Sequence, residues 1–441
     1  MRTASIYPSP WPGKSVGARI PYSTLMLDAD IAIDERFDEI DIGDAGLVGI
    51  SAMTGYQIHN GLQIAQQIKL KNPHVKIVWG GHHASSLPEQ TLQNPLVDFV
   101  IRGPGRDAFH ELARTLELKG NLEMVRGLSY KKRGSVYHIP NRPILPQDWT
   151  IPFDKIDIRR YVEDGHATII TSMGCPNACG FCSVNTMYKR HVLYRDMNVV
   201  AKEITGLIKL GAKHLIVDDD NLFVSRNQVF ELAYALHGTD VTWSAGMSVD
   251  LIGNYSVEDF RYLNKTGCTE IYIGAESGSD EALRLICKRG TVKDTYDFVT
   301  KMRESGIAPK VSSMVGVPGI DDVESTFNML EKCRDIDPRF TYVLFYYTPY
   351  VGTALYRTAI KHGFTPPDSL EGWAQHSLRK HTTPWVTKKT RKKVRFFSYY
   401  WYPYGKIRKF TVLARLHILK LTVKSWWKRL MGDFDKFGEY R

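Results

Sequence analysis

The chain of 441 residues is 43% hydrophobic and 24% charged and has six cysteines. That is an ordinary globular balance with material for two or three domains, and far too few cysteines for a disulfide scaffold. No N-terminal segment has the charged-then-apolar form of a secretion signal, and no apolar run approaches the ~18 residues of a membrane span, so a cytoplasmic protein is expected. The net charge of +11 is local: residues 372–432 hold no Asp or Glu and sixteen of the 58 Lys and Arg, leaving 42 basic against 47 acidic residues elsewhere.

Residues 1–125 alternate strand and helix patterns. Gly46-Leu47-Val48-Gly49-Ile50-Ser51 is a short apolar run of buried-strand type, and Ile58, Leu62, Ala65 and Ile68 then recur at helical spacing. Val75-Lys76-Ile77-Val78-Trp79 ends in Gly80-Gly81, Val97–Ile101 ends at Arg102-Gly103, and an amphipathic helix covers Ala108–Leu118. Such alternation implies a parallel sheet, which binds ligands at the carboxyl ends of its strands. Ser51, Thr54, Gly80, Gly81 and Gly103 stand at those ends, and glycines there let a bulky group approach the backbone. His82 and His83 follow as candidate ligands or as solvated loop residues.

Residues 126–165 form a connector, with a small hairpin over Gly127–Lys131 and Ser135–His138. From 166 to 362 strand and helix alternate again. Strands are expected at Thr168, Leu215–Val217, Val241–Trp243, Glu270–Ile273, Val311–Val315 and Tyr342–Phe345, and helices at Val199–Leu210 and through Val292, Tyr296, Val299 and Met302. Directly after the first of these strands comes Gly174-Cys175-Pro176-Asn177-Ala178-Cys179-Gly180-Phe181-Cys182. Cys175, Cys179 and Cys182 are spaced C-x3-C-x2-C, so three thiolates can face one metal centre. A cubane cluster normally takes four, and three leave one iron open to an exogenous ligand. The alternatives are a structural zinc loop, for which no paired fourth ligand is visible, or unrelated thiols.

The cysteine spacing, with an aromatic residue before the last cysteine, resembles the signature of the radical S-adenosylmethionine (SAM) enzymes. The strand ends after it are similar to that family's turns: Asp218-Asp219-Asp220-Asn221, Gly274-Ala275-Glu276-Ser277-Gly278-Ser279, Gly316-Val317-Pro318-Gly319 and Thr348–Thr353. Gly49–Gly55, Trp79–His83 with Leu87–Gln90, and Ile101–Gly105 resemble a cobalamin-binding domain of the sort that precedes radical SAM cores. Two departures are visible: Pro8–Ser15 lacks the D-x-H-x-x-G sequence that supplies a cobalt-ligating histidine, and Pro21–Ile33 is short for a helix and strand, with Ala32–Glu35 already strand-like.

The resemblance implies an α/β architecture: a Rossmann-like cobalamin-binding domain, then a partial (β/α)6 barrel of TIM type, then a basic helical C-terminal region at 363–441. It implies a 4Fe–4S cluster on Cys175, Cys179 and Cys182, SAM held by Asp219, Asp220, Glu276, Ser277 and Gly316, and cobalamin along Ser51, Thr54, Gly80, Gly81 and Gly103. An acidic strand end also suits the SAM ammonium by charge. The implied reaction is methyl transfer to an unactivated carbon of a small molecule, with a flavodoxin- or ferredoxin-type electron donor. A radical cyclisation, oxidation or carbon–carbon bond formation is the alternative. In the C-terminal region, Ile407, Phe410, Leu413, Leu416, Leu419, Val423, Trp426 and Leu430 fall near one helical face among Lys and Arg. This is the pattern of an interfacial membrane helix, which would favour a lipid or other hydrophobic substrate, and equally of a helix packed on the barrel. Nucleic acid is the weakest partner, because no RNA-binding module is recognisable.

Overall fold

The computed structural model describes residues 45–144, 162, 164–376 and 383–398, together with the backbone of two short strands, Thr3–Ile6 and Ile31–Ala32. Residues up to Thr387 form one compact unit, and those from Lys388 a second.

In the first sheet β1 (Thr3–Ile6), β2 (Ile31–Ala32), β3 (Leu47–Ser51), β4 (Lys76–Gly80) and β5 (Phe99–Ile101) lie parallel in the order β2-β1-β3-β4-β5. β6 (Leu128–Lys132), antiparallel to β5, and β7 (Ser135–His138), antiparallel to β6, are the hairpin expected in the connector and extend this sheet. Helices cover both faces of a parallel sheet, so its strands are apolar throughout: Leu47, Val48, Ile50, Ile77, Trp79 and Val100 are buried. α1 (Tyr56–Lys71), α2 (Gly81–Ser86), α3 (Pro88–Gln93) and α4 (Arg106–Glu117) follow the strands. Gly61 lets α1 lie close to the sheet, since a Cβ there would stand 2.8 Å from Trp79 Cη2. The strand expected at Ala32–Glu35 begins one residue earlier, and the loop Pro8–Ser15 lies outside the described residues.

The second sheet has six parallel strands in chain order: β8 (His166–Ile169), β11 (His214–Val217), β12 (Thr242–Ser248), β13 (Cys268–Glu276), β14 (Ala308–Val315) and β15 (Thr341–Tyr346). A two-stranded ribbon of β9 (Ser172–Met173) and β10 (Leu193–Tyr194) sits beside the cysteine loop. The intervening helices are α5 (Val184–Tyr188), α6 (Met197–Lys209), α7 (Arg226–Leu236), α8 (Val257–Lys265), α9 (Asp280–Leu285), α10 (Val292–Ser305), α11 (Val323–Ile336) and α12 (Ala354–Lys361). Local chemistry sets their ends: capping boxes Ser256/Asp259 and Thr291/Asp294 start α8 and α10, and Gly306, at φ 88°, ends α10. This strand–helix repeat is the partial (β/α)6 barrel.

The two sheets share one core, in which Ile58, Ile64 and Trp79 pack with Leu283, Ile286, Leu355 and Trp373. Residues 364–376, assigned to the C-terminal region by sequence, belong to this core and include α13 (Leu370–Trp373). Gln90 of α3 grips that segment twice, donating to Pro367 O at 3.1 Å and accepting from Trp373 Nε1 at 2.7 Å. Asn94 donates to Glu371 Oε1 at 2.5 Å. In the second unit α14 (Lys388–Phe396) is a basic helix, and the amphipathic stretch expected beyond Pro403 lies outside the described residues.

Candidate active site

The cysteine loop leaves the barrel after β8 and is pinned along its length. Gly174, at φ 90°, has no alternative, because a Cβ would fall 2.1 Å from His191 O. Its N–H donates to Asp220 Oδ2 at 2.7 Å. Asn177 Nδ2 donates to Ser248 Oγ at 3.0 Å, and Asn185 Nδ2 to Asn177 O at 2.9 Å. Gly180 N donates to Ile286 O at 2.7 Å, while its carbonyl accepts from Leu355 N at 2.8 Å. Asn221 Nδ2 reaches Cys175 Sγ at 3.7 Å and Asn221 Oδ1 accepts from Ser248 N, so one amide ties the first thiol to β12.

All three thiols are half-buried and free of disulfides. Burial pushes Cys182 up to about 12, with Cys179, Asp220 and Cys175 adding to it. Burial also raises Cys179, against the pull of Lys288. Cys179 and Cys182 are therefore protonated until a metal displaces the proton. Among the described residues, no three His, Cys, Asp or Glu side chains converge on a site for a single metal ion.

The acidic strand end after β11 divides its labour. Asp219 is buried and both its oxygens are spent: Oδ1 accepts from Thr171 N at 2.7 Å, and Oδ2 from Thr171 Oγ1 at 2.7 Å and Ser172 Oγ at 2.6 Å. It is a strut for the loop that carries the cysteines. Asp220 keeps an exposed carboxylate. Asp218 donates its N–H to Ile169 O at 2.9 Å; its exposed carboxylate accepts no hydrogen bond among the described residues, yet burial by the surrounding protein, then Asp220 and Asp219, push it up to about 6.

At the end of β13, Glu276 takes a left-handed backbone, φ 66°, where the pairing with β14 slips between Gly274 and Glu276. This is strain that surrounding structure must hold in place. The carboxylate folds back over Gly274, where a Cβ would meet Glu276 Oε1 at 2.3 Å, and it pairs with Lys288 Nζ at 3.4 Å. Burial alone would lower the Lys288 pKa, but Glu276, Cys179 and Asp250 together hold it up, so an ammonium sits beside the second cysteine. Sequence reasoning missed Lys288, which lies twelve residues beyond Glu276 and carries no motif of its own. It also missed Asn177, Asn221 and Ser248, whose roles depend on strands meeting in space.

Ser277 donates to Asp322 Oδ2 at 2.6 Å and accepts from Ser279 N, a second structural use of an expected ligand. Gly316, φ 79°, receives Trp385 Nε1 on its carbonyl at 2.7 Å, with Val386 Cγ2 standing where its Cβ would be. The tryptophan comes from the segment assigned by sequence to the tail.

On the first sheet, Ser51, Gly80 and Gly103 come together at adjacent strand ends. Gly81, φ 85°, cannot carry a side chain, since a Cβ would lie 2.7 Å from Ala52 O. At Gly103, φ 78°, a Cβ would meet nothing within 4 Å, and its N–H is held by Ser85 Oγ at 3.0 Å. Thr54 Oγ1 lies 3.0 Å from His83 Nδ1. His83 is buried on α2 rather than solvated, burial and then His376 lower it to about 3, and its Nε2 has no hydrogen-bond partner among the described residues.

The residues fit three groups. Three clustered thiols suit a cluster that leaves one iron open. The exposed Asp220 carboxylate suits the SAM ammonium, and open glycine strand ends with an orphaned buried imidazole nitrogen suit a bulky, hydrogen-bonding tail such as cobalamin's.

Comparison with known proteins agrees. Residues 169–330 match the radical SAM superfamily, and residues 20–113 match the B12 binding domain. The chain is 28% identical over 379 residues to the uncharacterized methyltransferase PH0819 of Pyrococcus horikoshii, covering 82% of this chain and 80% of that one. It is 24% identical over 332 residues to an anaerobic magnesium-protoporphyrin IX monomethyl ester cyclase of Rubrivivax gelatinosus, covering 70% of this chain and 58% of the cyclase. The fold is similar to that of the radical S-adenosylmethionine methyltransferase TsrM from Kitasatospora setae, solved with cobalamin and a 4Fe–4S cluster bound. There the TM-score is 0.66 at 16% identity, over 83% of this chain and 76% of that one. The chain therefore belongs to the radical SAM enzymes that carry an N-terminal cobalamin-binding domain, with a 4Fe–4S cluster, SAM and cobalamin as its cofactors.

Proposed function

We propose that this enzyme transfers a methyl group to an unactivated carbon of a small molecule. One observation carries the reading. α2, which starts at the glycine pair of the first sheet, and α5, which starts two residues after Cys182, meet over Gly352. A Cβ on Gly352 would stand 2.9 Å from Thr186 Cγ2 and 3.9 Å from Ser86 Oγ. The helices leaving the two cofactor sites thus share a contact, as a reaction using both cofactors on one substrate requires.

When bound, the cluster and SAM supply a 5′-deoxyadenosyl radical, and cobalamin supplies the methyl group. The chain's own residues set the stage. Asp219 fixes Thr171 and Ser172 so that the cysteine loop leaves the barrel at one angle. Asp220 and the Lys288 ammonium offer opposite charges to the two ends of the SAM amino acid. The first-sheet glycines admit the cobalamin tail, and Asp218 presents an exposed carboxylate of raised pKa at the carboxyl end of β11.

Anaerobically reconstituted protein should bind cobalamin stoichiometrically. With substrate it should form S-adenosylhomocysteine and 5′-deoxyadenosine together. Deoxyadenosine without S-adenosylhomocysteine would support the second reading, a radical reaction without methyl transfer, for which the resemblance to the cyclase speaks. An external one-electron donor is required in either case. The basic segment from Lys388 is proposed to contact anionic membranes and so to favour a hydrophobic substrate. No helix among the described residues is long and apolar enough to cross a membrane. Liposome binding that disappears on truncation after Lys380 would support the contact, and no binding at low salt would exclude it.

A further inference from the structure

The strands of the second sheet are covered on one face only. Leu215, Val217, Trp243, Ala245, Ile271 and Val311 are buried. The residues that alternate with them, among them Ile216, Ser244, Gly246, Tyr272 and Lys310, stay at least partly exposed. Successive side chains of a strand point to opposite faces, and the helices of a barrel lie outside it, so the second set lines the open inner face.

One row of that face has a gap in it. Val217 pairs with Ala245, and Gly246 with Tyr272. The next step of the first register sets Asp218 opposite Gly246, and Asp218 N continues the ladder by donating to Ile169 O at 2.9 Å. Asp218, Gly246 and Tyr272 therefore stand side by side on three neighbouring strands. Strands lie roughly 4.8 Å apart, which separates the outer two backbones by about 10 Å. Between them Gly246 contributes no side chain: a Cβ there would stand 3.4 Å from Tyr272 Cδ1 and 3.9 Å from Asp219 O. The result is a notch with a glycine floor, a carboxylate on one wall and an aromatic ring on the other.

The charges around the notch are already engaged, apart from that carboxylate. Lys310 pairs with Glu270 at 3.2 Å and Lys288 with Glu276 at 3.4 Å. Asp219 serves Thr171 and Ser172, and Asp220 serves Gly174 N. The Asp218 carboxylate accepts no hydrogen bond among the described residues. Tyr272 is 39% exposed, and its hydroxyl is hydrogen-bonded to Ser312 of β14, which holds the ring beside the notch. A carboxylate and an electron-rich ring on either side of a small gap are the groups that bind an ammonium.

We propose that this notch receives a protonated amine of the substrate, held between Asp218 and Tyr272, so that the enzyme acts on small molecules carrying a basic nitrogen, whatever the polarity of the rest of the molecule. The proposal rests on the methyl acceptor being a small molecule. Asp220, two residues on, is the carboxylate assigned to the SAM ammonium, so an amine on Asp218 sets the substrate beside SAM. No bond is made or broken at the notch, which binds and orients.

The test reads binding without turnover. Holoenzyme reconstituted with cluster, cobalamin and SAM is titrated near neutral pH with benzylammonium and with benzyl alcohol, its neutral near-isostere, by ligand-detected NMR. The amine should bind, and the alcohol should bind about tenfold more weakly or not at all. Asp218→Asn keeps the shape, removes the charge and should weaken the amine by about tenfold. Gly246 does not have a positive φ, so Gly246→Leu fills the notch without backbone strain and should abolish amine binding, with thermal unfolding and iron content showing that the barrel has formed. Tyr272→Phe should bind as the wild type does, and Tyr272→Leu should lose about threefold. A wild type that does not bind the amine, or binds amine and alcohol alike, would overturn the proposal. So would amine affinity within about twofold of wild type in Asp218→Asn or in folded Gly246→Leu. A wild type that binds the amine in this way but never forms S-adenosylhomocysteine would instead count against methyl transfer and leave the notch standing.

Discussion

The two cofactor regions are built by opposite means. Around the cysteine loop almost every polar group has a named partner: Gly174 N on Asp220, Thr171 and Ser172 on Asp219, Asn177 on Ser248, Glu276 on Lys288. At the first sheet the site consists of what is missing, an open Gly103 and a His83 Nε2 without a partner. The difference follows from what each must hold. A cluster that is to be reduced and to cleave SAM needs its ligands fixed before it arrives, because misplacing a reacting group by an ångström is costly. A large cofactor with its own rigid ring needs room, and glycine strand ends supply it.

If the two regions are built independently, damage to one should spare the other. The largest effect is expected from Cys179→Ala: 5′-deoxyadenosine formation should fall below detection and iron content should drop with it, while cobalamin binding stays intact. Loss of both cofactors together would break the comparison. Gly103→Leu should do the reverse. The side chain enters the space proposed for cobalamin and is forced into the left-handed region, a backbone cost of roughly 1–2 kcal/mol. Bound cobalamin should fall by an order of magnitude or more, with SAM cleavage unchanged.

Asp219→Ala sharpens the distinction between ligand and strut. Removing a buried carboxylate that serves three donors should lower stability by about 2–3 kcal/mol in denaturant unfolding, and should lower iron occupancy. A variant that unfolds like the wild type and loses only SAM affinity would make Asp219 a SAM ligand after all.

The smallest effect concerns Asp218. Its folded pKa, about 6, lies above the 3.8 expected when unfolded, so the folded state binds the proton more tightly. Stability from this group is fully present below the unfolded pKa and is lost as pH rises through the folded one. Asp218→Asn should therefore be the more stable protein at neutral pH, with the difference vanishing toward pH 4, as thermal unfolding across that range would show.

Much of this arrangement was legible in the chain. Six β-type runs at barrel spacing, the C-x3-C-x2-C loop after the first, and paired glycines after apolar runs placed both sites at strand ends, because the period of apolar residues and the demand for glycine at positive φ are local properties. The hairpin was also visible, though its place at the edge of the first sheet was not. What the sequence could not show was the division among residues of the same type. Asp219 and Asp220 are neighbours of identical chemistry, and only the turn after β11 buries one against Thr171 and Ser172 and leaves the other partly exposed on Gly174 N.

The same holds at longer range. Lys288 finds Glu276 only because β13 slips its register, and Trp385 reaches the carbonyl of Gly316 across a separation of 69 residues. The last residues of the compact unit show this most plainly. By composition, residues from 363 onward looked like one basic tail, yet Trp373 and His376 are buried against α2 and the turn after β15, with His376 Nε2 donating to Pro349 O at 2.7 Å. The sequence by itself determined the element order, the cysteine loop and the glycine strand ends, since each depends on a residue's own conformational needs. Only the tertiary structure decided which carboxylates are struts, which cation stands beside the thiols, and where the core ends, because those depend on partners that the chain brings together after it has folded.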